Sequence, residues 1–199
     1  RHDIQLQYIT NMTHTGLGKR KALDIWRNFS NIIIYASLDG EHDRGLYLRP
    51  GSYKWEQVVD FRRQMIEQRP DIFFCVQSTL TLLNALHMPD FHRSWVEQGL
   101  VDAEHWIVNT LNHPKYLKIM TAPEYLKDQI REKYRKHLEW LRPLDPYGKS
   151  TSGYISILHA LDSNDQFDPD LFWKEIDLRD RYHNANLLDS FPELVDLPH

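Results

Sequence analysis

The sequence predicts an α/β fold, a parallel sheet with helices packed around it. Two observations carry this. First, dense apolar runs recur, and each turns polar at its C-terminal end. Ile32-Ile33-Ile34-Tyr35-Ala36 leads into Ser37-Leu38-Asp39-Gly40, Phe73-Phe74-Cys75-Val76 into Gln77-Ser78-Thr79, and Trp106-Ile107-Val108 into Asn109-Thr110; Leu6-Gln7-Tyr8-Ile9 before Thr10-Asn11 is a weaker copy. Second, the gaps between these runs carry helical periodicity. Continuous apolar runs suit strands covered on both faces. In such sheets ligands bind beyond the carboxyl ends of the strands, which is where the polar residues fall.

Taken in order, the first strand is followed by Gly16-Leu17-Gly18, which lacks the downstream spacing of a phosphate loop and reads as a flexible loop. Ala22, Ile25, Trp26 and Phe29 then repeat at helical spacing. After the second strand, Trp55, Val58, Val59, Met65 and Ile66 do the same, and Pro70 ends that helix. After the third, a helix from about Pro89 carries Phe91, Trp95 and Val96, with Gly99 as its C-cap candidate. The alternation argues for repeated βαβ units. Trp26, Trp55 and Trp95 fall on helix faces, where core packing is the default.

Beyond the fourth strand the chain changes character, which divides it into residues 1–122 and a helical region, 123–199. Pro123 and Glu124 open a long helix with Leu126, Ile130, Tyr134, Leu138 and Leu141 on one stripe. Residues 142–148 break it, a short helix spans about Tyr154–Leu161, and Asp168-Pro169 caps another that runs to about Tyr182. The tail, Ser190 to Leu194, reads as irregular.

The chain has 199 residues, enough for one domain with a full core. Hydrophobic residues make up 41% and charged residues 26%, ordinary for a soluble globular protein. With a net charge of -4 and no basic patch, phosphate-driven nucleic-acid binding is not supported. No apolar run approaches membrane-spanning length, and Arg1-His2-Asp3-Ile4-Gln5 is not a signal peptide. A single cysteine, Cys75, rules out an internal disulfide and fits a reducing cytoplasm; inside an apolar strand it reads as a small buried hydrophobe. The 11 histidines do not fall at paired metal-ligand spacings, and His42-Asp43 lacks partners for a metal dyad.

The most specific signal is Ser37-Leu38-Asp39-Gly40 followed by Tyr47-Leu48-Arg49-Pro50-Gly51-Ser52-Tyr53-Lys54-Trp55. A strand-tip serine offers a donor and an acceptor, Asp-Gly gives a tight turn, and an arginine shortly after can fork onto a carboxylate. The combination suits a ligand bearing an amino-acid carboxylate. Equally, Ser37 could cap a turn and Arg49 could pair with Glu41 or Asp43 on the surface.

On these residues the chain resembles the radical S-adenosylmethionine family, in particular members with a short C-terminal twitch extension. Thr10-Asn11 resembles the family's third barrel strand. Ser37 to Gly40 with Tyr47-Leu48-Arg49 resembles the fourth, Gln77-Ser78-Thr79 with Asn84 the fifth, and Asn109-Thr110-Leu111 with Pro114 the sixth. Residues 174–179 and Phe191-Pro192-Glu193-Leu194 resemble the closing helix and tail. The resemblance implies a partial (βα) TIM-like barrel, here lacking its first strands, with a C-terminal helical region. It implies a [4Fe-4S] cluster that cleaves S-adenosylmethionine reductively, an electron donor, and hydrogen abstraction from a peptide or small-molecule substrate. By the same resemblance, Ser37 and Arg49 contact S-adenosylmethionine, Arg49 at its carboxylate. Thr10, Asn11, Gln77 and Asn109 line the cavity, and Leu111 packs near the adenine. The three cysteines of the family's C-x-x-x-C-x-x-C loop are absent, so the cluster's ligands must lie outside this chain. The alternatives are a non-catalytic module that binds a peptide or partner chain at an exposed sheet edge, and a cluster-free barrel enzyme acting on carboxylate metabolites.

Overall fold

The computed structural model describes residues 4–51 and 54–199. Ser52 and Tyr53 of the arginine segment, and Arg1-His2-Asp3 of the N-terminus, lie outside the described residues. Four strands, β1 (Gln5–Thr10), β4 (Asn31–Ser37), β5 (Phe73–Leu80) and β6 (Trp106–Thr110), form one parallel sheet in the order β1-β4-β5-β6. Each apolar run found in the sequence is one of these strands. A small antiparallel pair, β2 (Gly16–Leu17) and β3 (Arg20–Lys21), sits between β1 and α1 (Ala22–Trp26). It replaces the predicted flexible loop: Gly18, at φ +58°, turns the chain in a conformation that side chains disfavour.

Because spatial order follows chain order, every crossover steps the same way and the connecting helices fall on one face. Those helices are α1, α2 (His42–Leu48), α3 (Trp55–Gln68) and α4 (Met88–Glu97). The ring contacts identify the covered face. Tyr8 meets Trp26, Phe74 stacks on Trp95, and Phe91 meets Trp106 edge-on. Ile32, Ile34, Ala36, Val76 and Leu80 are buried on that side. Trp26, Trp55 and Trp95 are core residues, as their spacing predicts.

The opposite face differs from expectation. The apolar runs imply strands covered on both faces, yet burial alternates residue by residue along β4 and β6. Phe73 is 40% exposed and Ile107 39% on the uncovered side, and Ile9 on β1 is 70% exposed. The side chains are apolar on both faces, but helices cover only one of them.

The helical region begins with α5 (Glu124–Leu141), which packs behind α4. Next, α6 (Thr151–Ala160) runs beside β6, and Ser150 Oγ accepts the outward amide of Trp106 at 3.1 Å. α6 starts earlier than predicted because the buried Asp145 carboxylate accepts the amides of Lys149, Ser150 and Thr151 at 3.0, 2.9 and 2.7 Å. α7 (Pro169–His183) opens on Asp168, whose side chain accepts Leu171 N, as the sequence predicts. The tail is more ordered than predicted: α8 (Leu187–Ser190) and a 3-10 turn at Pro192–Leu194 seat Phe191 in the core.

A polar network lies buried between α4, α5 and α6. His92 Nε2 lies 3.2 Å from Ala103 O and donates to it, which leaves Nδ1 as the acceptor, with Tyr154 OH at 3.1 Å and His137 Nε2 at 3.2 Å both facing its one lone pair. Burial lowers both imidazoles. His137, with Arg93 nearby as a further cause, is pushed down to about 4, and His92 falls well below its ordinary value.

Candidate functional site

The carboxyl ends of the strands converge on one rim, and on the bare face that rim is polar. Ser37 at the end of β4 pairs with Gln77 on β5, and Thr79 on β5 pairs with Asn109 on β6. Strand alternation turns Ser37, Gln77, Thr79 and Asn109 to the bare side, while Ala36, Val76 and Val108 turn to the helices. The hydroxyl of Ser37 and the side-chain amides of Gln77 and Asn109 make no hydrogen bond among the described residues. Three of the residues singled out in the sequence are therefore gathered into one row, solvent-accessible and without a protein partner among the described residues.

The rim is held by an aspartate. Asp39 stands just past β4, and its carboxylate accepts Thr79 N at 2.6 Å and Arg49 Nε at 2.7 Å. Its carbonyl accepts Asn84 Nδ2 at 2.8 Å, and the same Nδ2 reaches Thr79 O at 3.0 Å. Asn84 Oδ1 in turn accepts Thr81 N and Thr81 Oγ1 at 2.7 and 3.1 Å. Asn84 is fully buried and Ser78 Oγ donates to Leu38 O at 2.6 Å, so the β4 and β5 tips are locked together. In the sequence Asp39 looked like turn chemistry alone; its partners come from residues ten to forty-five positions away.

Arg49 lies at the end of α2 on the same rim as Ser37, but Asp39 engages it rather than Glu41 or Asp43. The surface ion-pair reading thus named the wrong carboxylates, because α2 folds back over the β4 tip. α2 itself was not foreseen. It is fixed from outside: Tyr47 OH donates to Asp180 at 2.7 Å, and Arg179 donates to the carbonyls of Tyr47 and Leu48 at 2.6 and 3.0 Å.

The other singled-out residues stand apart from the row. Thr10 pairs with Ala36 on the covered side, and its hydroxyl accepts Met12 N at 3.1 Å. Asn11 Oδ1 accepts Thr13 N and Thr13 Oγ1 at 3.2 and 2.8 Å, closing a turn. Leu111 is half-buried against the core and extends the ladder through its amide to Leu80 O at 2.9 Å.

The donors present do not fit an iron–sulfur cluster. Cys75 is the chain's one cysteine; its thiol is buried, and burial pushes it up to about 11, so it stays protonated. Among the described residues no group of three His, Cys, Asp or Glu side chains could hold a metal. No helix among them is long and apolar enough to cross a membrane.

Comparison with known proteins gives little. No family profile and no curated protein matches the chain. A solved structure described as native anSMEcpe with bound AdoMet and Cp18Cys peptide is 15% identical, with a TM-score of 0.45. The match covers 69% of this chain and 36% of that one. At that level the likeness carries no argument about ligand or activity.

Proposed function

We propose that this chain is the barrel portion of a radical S-adenosylmethionine enzyme and that its bare-face rim binds the methionyl end of S-adenosylmethionine. The observation that carries the reading is the row Ser37, Gln77, Asn109, three polar side chains without internal partners on the uncovered face of a sheet whose strands follow one another in sequence order. A hydroxyl and two amides match the acceptors and donors of an amino-acid head group. Arg49, held by Asp39 at the β4 tip, contributes positive charge at the same rim. The bare face is the concave, substrate-facing side of such a barrel, and the substrate is a peptide or a small molecule.

A cluster bound by thiolates outside this chain would supply the redox chemistry. The chain's own residues bind and orient: Ser37, Gln77 and Asn109 hold the head group, and the Asp39–Asn84 network keeps their strands in register. Calorimetric titration of S-adenosylmethionine into the 199-residue chain tests this. Saturable binding that weakens about ten-fold in Asn109→Ala and Ser37→Ala is expected, since each removes a hydrogen bond to a charged group. Binding unchanged by both substitutions, or no binding, would overturn it.

One observation favours a second reading. The outer edge of β1 has no strand partner among the described residues, and the strand carries no charge or proline to discourage pairing. A peptide could add there as a fifth strand. If peptide binding is lost in Ile9→Lys while S-adenosylmethionine produces no heat, the module reading is correct.

A further inference from the structure

Beyond the rim, the molecule carries a second candidate site. A cavity of about 360 Å³ lies between α2, α4 and the tail, lined by Glu41, His42, Asp43, His87 and Asp189 among others. A neighbouring cavity of about 390 Å³ shares Asp43, Asp189 and Ser190 with it, so the two form one groove along α2. Three carboxylates line the first cavity. The one guanidinium lining it among the described residues, Arg44, is taken by Glu193 through two bonds of 2.6 and 3.1 Å. The groove therefore presents uncompensated negative charge.

A second observation is independent of that charge. His87 is 7% exposed, and its Nε2 faces the amide of Glu41 at 3.5 Å. Accepting that amide places the ring proton on Nδ1, which has no partner among the described residues. Burial, with Arg44, Lys133 and His42 adding to it, pushes His87 down to about 3, so the ring is a neutral donor. Glu41 has one hydroxyl partner, Ser94 Oγ at 3.2 Å, and burial raises its carboxyl. A desolvated carboxylate gains most from an arriving cation.

We propose that this groove binds a basic peptide, seating a lysine or arginine side chain against Glu41, Asp43 and Asp189 while His87 donates to the peptide backbone. A metal ion does not suit it, since no three ligating side chains stand close enough among the described residues. An anionic partner is repelled by the lining. Two cavities that share Asp43, Asp189 and Ser190 offer adjoining subsites, which an extended chain can fill and a compact amine cannot. The inference goes beyond the rim site and does not depend on S-adenosylmethionine binding, so the two fail separately.

The test is an NMR titration of the isotope-labelled chain with the probe acetyl-alanyl-lysyl-alanine amide, run beside the same peptide with norleucine in place of lysine. The lysine probe is expected to saturate, with shifts centred on residues 41–44, 87 and 189–190. The norleucine probe should bind at least five-fold more weakly. Asp43→Asn combined with Asp189→Asn should weaken the lysine probe about five-fold, the scale of one partly exposed ion pair, and Glu41→Gln, which keeps the bond from Ser94, by at least as much. Equal binding of both probes, shifts spread over other acidic surfaces, or no saturation would each overturn the proposal.

Discussion

Asn84 shows how one side chain can define a rim. All of its hydrogen-bonding capacity is used, toward Asp39 O, Thr79 O and both polar groups of Thr81. Asn84→Ala would strand a buried amide and two carbonyls, at a cost of about 3 kcal/mol. Chemical denaturation should show that loss, with the variant's slope unchanged. The histidines carry a second prediction. His87, His92 and His137 are neutral in the folded chain, with pKa values lowered by burial, and ordinary when unfolded. Unfolding below pH ~6.5 therefore takes up protons, and stability falls as pH drops from 6.5 toward 4. Three protons correspond to a limiting slope of about 4 kcal/mol per pH unit. His137→Phe should reduce the slope by about one proton's worth, which denaturation at pH 7, 6 and 5 would read out.

At the level of elements, the strands were legible and their extents were not. Apolar density marks where β4, β5 and β6 begin, but the ladders run on through Ser37, through Gln77-Ser78-Thr79-Leu80 and through Asn109-Thr110. Backbone pairing is indifferent to side-chain polarity, so the polar residues that follow the apolar runs are the last rungs of the sheet. α2 was hidden for a different reason. His42-Asp43-Arg44-Gly45 has no apolar repeat, and what holds the helix is tertiary: Tyr47 on Asp180, Arg44 on Glu193, and the approach of Gly45 to Gly40. A Cβ on Gly45 would lie 2.5 Å from the Gly40 carbonyl oxygen, inside contact distance. Gly45→Ala should therefore cost about 2 kcal/mol despite alanine's better helix propensity, and should loosen Arg49 at the rim. A thermal melt and the Arg49 side-chain signal would check both effects.

For the whole molecule, the parallel sheet and its helices were legible from alternating runs, whereas the bare face was not. Ile33, Tyr35, Phe73 and Ile107 are apolar enough to imply burial, but the helices leave that side open. The candidate site was legible in part: Ser37, Gln77 and Asn109 form the row, while Thr10 and Asn11 are spent on turns and Asp39 emerged only from long-range contacts. The proposed function requires the uncovered face to be the working face. Its most direct measurement is an amide shift map of the isotope-labelled chain titrated with S-adenosylmethionine. Shifts centred on Ser37, Gln77, Thr79 and Asn109 are predicted; shifts confined to the helix-covered side, or none at saturating ligand, would contradict it.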